Sequence, residues 1–278
     1  MPGLGVSAQT TDTIGNLKSQ ISNLKSQINL KSQISNLKSQ INLNTYMLGV
    51  GPIDILDTYL SQEKFKGSGV TGLATYEWRK PGSRWSTLLQ HQLNFATAED
   101  RAKMCDELQG DYTFLFGKYY AWQFNRLTVQ AGGVGGANIG FVYNTSNSNN
   151  PAQARLALQL MPSAIVTYNI PVGRQSLKAR YEVELPLVGA MFSPNYGQSY
   201  YEIFSRGNYD HNIVATTFVT APNMRQLLSI DYAIPHFATL RIGYLGDYQQ
   251  AHVNNLKSHI YHHRVMIGVV REFEILRK

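Results

Sequence analysis

The 278-residue chain has one cysteine, Cys105. No disulfide can form within it, so a small scaffold stapled by bridges is excluded. No run of about 18 apolar residues occurs, which excludes a helical membrane span but not a β-barrel, whose lipid face hides in alternation. Charge of one sign is also scarce. Of 25 Lys and Arg, four lie in residues 16–42, which hold no acid. The rest of the chain then has 21 basic residues against 18 acidic. The surplus belongs to one segment, and a nucleic-acid-binding surface is not expected. A complete secretory leader is missing too, because no basic stretch precedes an apolar core. Val6-Ser7-Ala8 before Gln9 nevertheless resembles the tail of a signal-peptidase site. Residues 1–15 therefore read as the remnant of a leader, whose true start lies upstream or which was lost.

Residues 16–43 carry four copies of Asn-Leu-Lys-Ser-Gln-Ile, starting at 16, 23, 29 and 36. Leu17, Ile21, Leu24 and Ile28 follow a heptad seam, which restarts out of phase at Leu30. The missing residue turns the stripe by about 100° on a helix. A solvated helix or a disordered tail left by tandem duplication fits better than a continuous coiled coil.

From residue 44 onward the pattern is all-β. Its clearest stretch is Leu177–Leu187, where Leu177, Ala179, Tyr181, Val183, Leu185 and Leu187 alternate with Lys178, Arg180, Glu182, Glu184 and Pro186. A period of two places the two sets on opposite faces of a strand. Eleven residues tilted by about 45° rise about 25 Å, the height of an outer-membrane apolar band. The same alternation recurs from Val70, from Trp85, through an aromatic face between Tyr112 and Phe124, and on to Tyr261–Ile275. Thr45–Gly51 reads as a short strand, Ile53–Leu60 as a helical turn and Tyr200–Phe204 as a short strand. The count is about twelve, with short turns at one end and longer connections at the other (52–69, 97–110, 144–153 and 189–199). The fold class expected for 44–278 is an antiparallel up-and-down transmembrane β-barrel. An even strand count would put both ends on the periplasmic side.

Several residues stand out as candidates. Lys178, Arg180, Glu182, Glu184, His262, Arg264, Glu272 and Glu274 are expected to line the lumen, as a plug of ion pairs or as the wall of a narrow pore. Gln198, Tyr200, Tyr201 and Glu202 form the best candidate for a loop folded inward. Trp78, Trp85 and Trp122 are placed in an aromatic girdle at a water–lipid boundary. Gly132-Gly133-Val134-Gly135-Gly136 lacks the following helix that a phosphate-cradling loop needs, so no nucleotide site is read there. His259, His262 and His263 have a ligand-like spacing, but a strand splits His262 from His263 across the wall, and no metal or other cofactor is expected. No nucleophile lies in an obvious register with His262, so catalysis is not assigned.

Four blocks carry a resemblance to a known family. They are Gly49–Ser61, Tyr143–Ala154, Val188–Pro194 with Gly197–Phe204, and Asn255–His259. Over about residues 45–275, with the repeat left out as an insertion, the chain resembles an uncharacterised outer-membrane barrel family, a domain of unknown function, of Bacteroides-type bacteria. The resemblance implies a barrel in the cell envelope and no assigned activity. The expected role is structural or one of solute passage, with outer-membrane lipid as partner and a small solute as cargo. An envelope lipid-modifying barrel enzyme and a soluble lipid-binding barrel are the alternatives.

Overall fold

The computed structural model describes residues 19–27, 38–148, 150–173, 175–234 and 238–277. The leader-like residues 1–15 and the repeat over 28–37 lie outside them. Packing divides the chain into two units, Met1–Gln40 with Glu274–Lys278, and Ile41–Phe273. The first unit contains a helix, α1, over 19–27 with exposed side chains. The second is the β domain.

Twelve strands follow one another: β1 Lys38–Asp57, β2 Phe65–Arg79, β3 Trp85–Glu99, β4 Asp106–Phe124, β5 Leu127–Asn144, β6 Ala152–Val172, β7 Gln175–Glu184, β8 Val188–Phe192, β9 Ile213–Thr217, β10 Met224–Ile234, β11 Ala238–Val253 and β12 Leu256–Arg277. Ten of them close a ring. β1 to β7 pair in sequence, β7 pairs with β10, and β10, β11 and β12 lead back to β1. β8 and β9 stand outside that ring order. They pair with each other, and β8 pairs with Ala157–Leu160 of β6. Closure gives every ring strand a neighbour on both sides. Asn254 and Asn255, both at positive φ, make the two-residue β11–β12 turn, the twist-matching geometry that Asn tolerates.

Alternation decides which side chain goes where. Arg225, Leu227, Ser229 and Asp231 of β10 are buried, whereas Leu228, Ile230 and Tyr232 between them are exposed. On β12, Arg264 and Met266 are fully buried beside Val265, which is 66% exposed. Leu48, Leu93, Phe95, Leu158, Leu160 and Ile242 continue the outward apolar set around the wall. Inside, apolar clusters share the lumen with the charges. One comprises Met47, Leu73, Leu227, Leu245 and Met266, and another Leu88, Leu115, Tyr119, Val134, Met161 and Ile165. The lumen is therefore not uniformly polar.

Three expectations change. Ile53–Leu60 is not a helical turn over its first half: β1 runs on to Asp57, because Ile53 and Ile55 point inward and are buried, on either side of Asp54. Tyr200–Phe204 is a helix, α2, not a strand. Ser199 caps it, and Ser199 and Glu202 complete a capping box. The last repeat copy is strand from Lys38 onward, neither helix nor tail.

Strand closure leaves a bound on mutation. A Cβ on Gly51 of β1 would run into the His263 carbonyl oxygen of β12. Gly51→Ala is expected to destabilise the barrel by about 1–3 kcal/mol, read as a lower urea midpoint for unfolding in detergent micelles. Gly82→Ala, where the added Cβ meets nothing, tests turn strain alone, since its φ is +74°.

Candidate functional site

The lumen holds the densest set of buried charges. Asp231 and Arg241 form a bidentate pair on neighbouring strands, Nε–Oδ1 2.6 Å and Nη2–Oδ2 2.8 Å. Arg180 Nη2 lies 3.2 Å from both Glu77 and Glu182. Arg225 Nη1 lies 3.1 Å from Glu184 and 3.7 Å from Glu182. Each cation thus has a carboxylate partner, the condition under which buried charge is tolerated.

β3 joins these pairs across the barrel. Gln90 Nε2 donates to Glu182 of β7. Gln92 Nε2 donates to Asp247 of β11 at 2.8 Å, and its Oε1 accepts from Arg225 Nε of β10 at 3.0 Å. β3 is not adjacent to β7, β10 or β11 in the ring, so these bonds span the bore at that level. A second chain runs from β12. Arg264 Nε donates to Thr71 Oγ1 at 3.1 Å, Thr71 donates to Asn94 at 2.6 Å, and Asn94 Nδ2 donates to Asp111 at 2.8 Å. Arg264 Nη2 lies 2.9 Å from His262 Nδ1. A guanidinium only donates, so Nδ1 accepts and the ring proton sits on Nε2, which lies 3.8 Å from Asp111 Oδ1.

The residues singled out from sequence fall in different places. Arg180, Glu182, Glu184, His262 and Arg264 are buried inside, and Lys178 is half-buried, opposite Asp231. Glu272 and Glu274 are exposed, not lumenal. The β11–β12 ladder ends at Thr239 and Val270, and both glutamates lie beyond that last pair. Gln198 is buried and Tyr200 half-buried, but Tyr201 is exposed and Glu202 turns back onto Ser199. Tyr200 Oη donates to the buried Gln153 side chain, near the start of β6, at 3.0 Å. The segment is tied to strand ends and loops, Tyr59 Oη to Gln198 O at 3.0 Å and Asn254 Nδ2 to Ser193 O at 3.0 Å. Burial pushes the Tyr200 hydroxyl up to about 12. The Ser199 backbone N–H and hydroxyl hold the Glu202 carboxyl below its ordinary value, so the cap weakens as pH falls through that lowered value. On the outer face, Trp85 packs edge-on against Tyr120 at 5.2 Å, Tyr120 against Trp122 at 5.1 Å, and Trp78 is half-buried two residues from the same β2–β3 connection. His263 faces outward and meets Tyr244, away from His262, and His259 stacks on Tyr261. Among the described residues no three His, Cys, Asp or Glu are placed to hold a metal ion.

Asp111, Arg225, Asp231, Arg241 and Asp247 were missed. The signal was present as the same alternation, for example Arg225-x-Leu227-x-Ser229-x-Asp231 against Leu228, Ile230 and Tyr232.

This geometry defines a closed antiparallel β-barrel with an apolar outer wall and a cross-bonded lumen. The chain belongs to the family described as "Protein of unknown function (DUF3316)", which matches residues 16–278 and so takes in the repeat. No curated protein matches it in sequence. Among solved structures it is similar to the translocator domain of the autotransporter NalP from Neisseria meningitidis, with 11% identity over 93% of this chain and 97% of that one and a TM-score of 0.41. It is also similar to the outer membrane protease OmpT from Escherichia coli, with 9% identity over 85% and 96% and a TM-score of 0.44. A third is Ail, the attachment invasion locus protein of Yersinia pestis, with 11% identity over 83% and 99% and a TM-score of 0.34. At such values the likeness is one of fold alone.

Arg225 is shared between Glu182, Glu184 and Gln92, and its removal strands the buried Glu184 carboxylate, whereas Glu182 keeps Arg180 and Gln90. Arg225→Met is expected to lower the unfolding free energy by about 3–5 kcal/mol. Adding Glu184→Leu should recover part of that loss. Urea titrations followed by tryptophan fluorescence measure both; no recovery in the double variant would contradict the pairing.

Proposed function

We propose that this protein is an outer-membrane β-barrel with a structural role, its lumen closed to all but the smallest solutes. The family resemblance implies the envelope of a Bacteroides-type bacterium. The observation that carries the reading is the inversion of the wall: outward side chains are apolar around the ring, while carboxylates and guanidiniums are buried within. A soluble lipid carrier would need the reverse, an apolar cup and a polar exterior. In a bilayer, a closed barrel is one of two structures that satisfy every backbone group. The Trp85–Tyr120–Trp122 cluster then lies at one interface, near the short turns on the periplasmic side. The loop-side ends of the strands, with Lys66, Lys257 and His259, reach the outer headgroups.

Support for a closed lumen comes from the bonds across it, Gln90 to Glu182 and Gln92 to Asp247. Solute passage requires breaking that layer. In planar bilayers the protein is expected to give no steady conductance typical of a wide aqueous pore. Gln90→Ala with Gln92→Ala, which removes the cross-braces, should raise small-ion conductance. A large, steady current from the unaltered protein would contradict the closed lumen. Loss of heat-modifiable migration in detergent gels would contradict the membrane barrel itself.

A further inference from the structure

Two neighbouring strands of the wall are interrupted at one level. β7 ends at Glu184, opposite Ser163, and β8 begins at Val188, opposite Leu160, so the register along β6 slips by one residue. Leu185 N–H and Leu187 N–H still donate to Pro162 O and Leu160 O, so the chain stays on β6 as a bulge carrying Pro186. On the other side, Thr217 opposes Val188 and Arg225 opposes Glu184. Three residues separate the β7–β8 pair of positions and seven separate the β9–β10 pair, so four surplus residues loop out around Pro222. Beside them, residues 249–253 of β11 have no ladder partner on that edge, since the β10 ladder stops at Met224 and Tyr248. Among the described residues three hydrogen bonds span the gap: His252 N–H to Thr220 O at 2.8 Å, Gln250 N–H to Asn223 Oδ1 at 2.6 Å, and Gln250 Nε2 to Pro222 O at 2.6 Å.

A cavity of about 90 Å³ lies directly behind this gap, and a depression lies in front of it on the outer wall. Asn223, Met224 and Gln250 line both, so the partition is one residue thick. The cavity is apolar along Leu115, Met161 and Met191 and polar where Arg155 and Arg225 reach it. Arg225 is buried, and its Nη2 has no partner. The outer depression is rimmed by Leu185, Phe218, Tyr248 and Tyr261, and exposed Leu160 and Val188 lie on the adjoining wall. A broken ladder at the margin of an apolar belt is costly in a membrane barrel. A cavity immediately behind it gives the break a use.

We infer that the gap between residues 218–223 and β11 is a lateral portal, through which a small amphiphile passes from the bilayer margin into the lumenal cavity. Its apolar part lies against Leu115, Met161 and Met191, and its polar head meets the Arg155 and Arg225 guanidiniums. The inserted part is no larger than benzene, which an engineered cavity of about 150 Å³ accepts. The inference rests on the membrane reading above, which heat-modifiable migration and flotation with vesicles test separately.

The test uses the full chain in phosphatidylcholine vesicles, with Cys105→Ser to remove the native thiol and Thr216→Cys as the reporter. Thr216 is buried and lines the cavity. Two reagents are compared, N-dodecylmaleimide held in the bilayer and a sulfonated methanethiosulfonate confined to water, each normalised to an exposed Tyr201→Cys reference. The bilayer-borne reagent is expected to label the reporter at least tenfold faster than the sulfonated one. Deleting residues 219–222, which brings β9 and β10 into one register, should slow that labelling at least tenfold while the barrel stays heat-modifiable. Where the deletion prevents folding, Ala221→Phe, which fills the neck, serves as the block. No labelling by the bilayer-borne reagent, faster labelling by the sulfonated one, or labelling unchanged by the block overturns the portal. In each case flotation and heat-modifiability show whether the membrane reading itself still stands.

Discussion

A ring of strands allows each side chain only two directions, into the bore or away from it, and this constraint governs the whole molecule. Because the ring closes through β1 and β12, every ring strand has a neighbour on both sides, and the two side-chain sets are free to suit two different surroundings. The outward set is apolar, and the inward set mixes apolar clusters with paired charge. Buried guanidiniums and carboxylates are tolerable only as a satisfied network. Gln90 and Gln92 turn what would be separate pairs along the wall into a brace across it.

The brace and the wall defect occupy neighbouring parts of the same barrel. Arg225 belongs to both: it binds Glu184 and Gln92 in the closed layer and also lines the cavity behind the β9–β10 interruption. On the readings proposed above, the brace would block a path along the barrel axis and the interruption would open one through the side. A closed bore and a thin wall are therefore compatible within one lumen.

Much of this was legible in the sequence because a period of two survives in a single chain. Leu177–Glu184 showed both faces of β7, although the strand ends there and residues 185–187 bulge, and the short turns alternating with longer connections showed the meander. What stayed hidden has physical causes. Tyr200–Phe204 has the aromatic composition of a strand, but Ser199 and Glu202 cap a helix there. The identical repeat unit is helical at Lys25–Gln27 and strand at Lys38–Ile41, so local propensity does not decide its state and β pairing does. Glu272 and Glu274 keep the inward parity but lie past the last β11–β12 pair, and parity says nothing about where a lumen ends. The bonds from β3 to β7 and β11 join residues more than 90 positions apart, and no alternation pattern reports which inward residues meet.

The most direct test of the inverted wall is a nitroxide scan along β10, residues 226–232, in lipid vesicles. Labels at Leu228, Ile230 and Tyr232 should be accessible to oxygen dissolved in the bilayer and shielded from a water-soluble nickel chelate. Labels at Leu227, Ser229 and Asp231 should be reached by neither. Nickel access to the Leu228, Ile230 and Tyr232 positions, or loss of the two-residue period, would contradict the account.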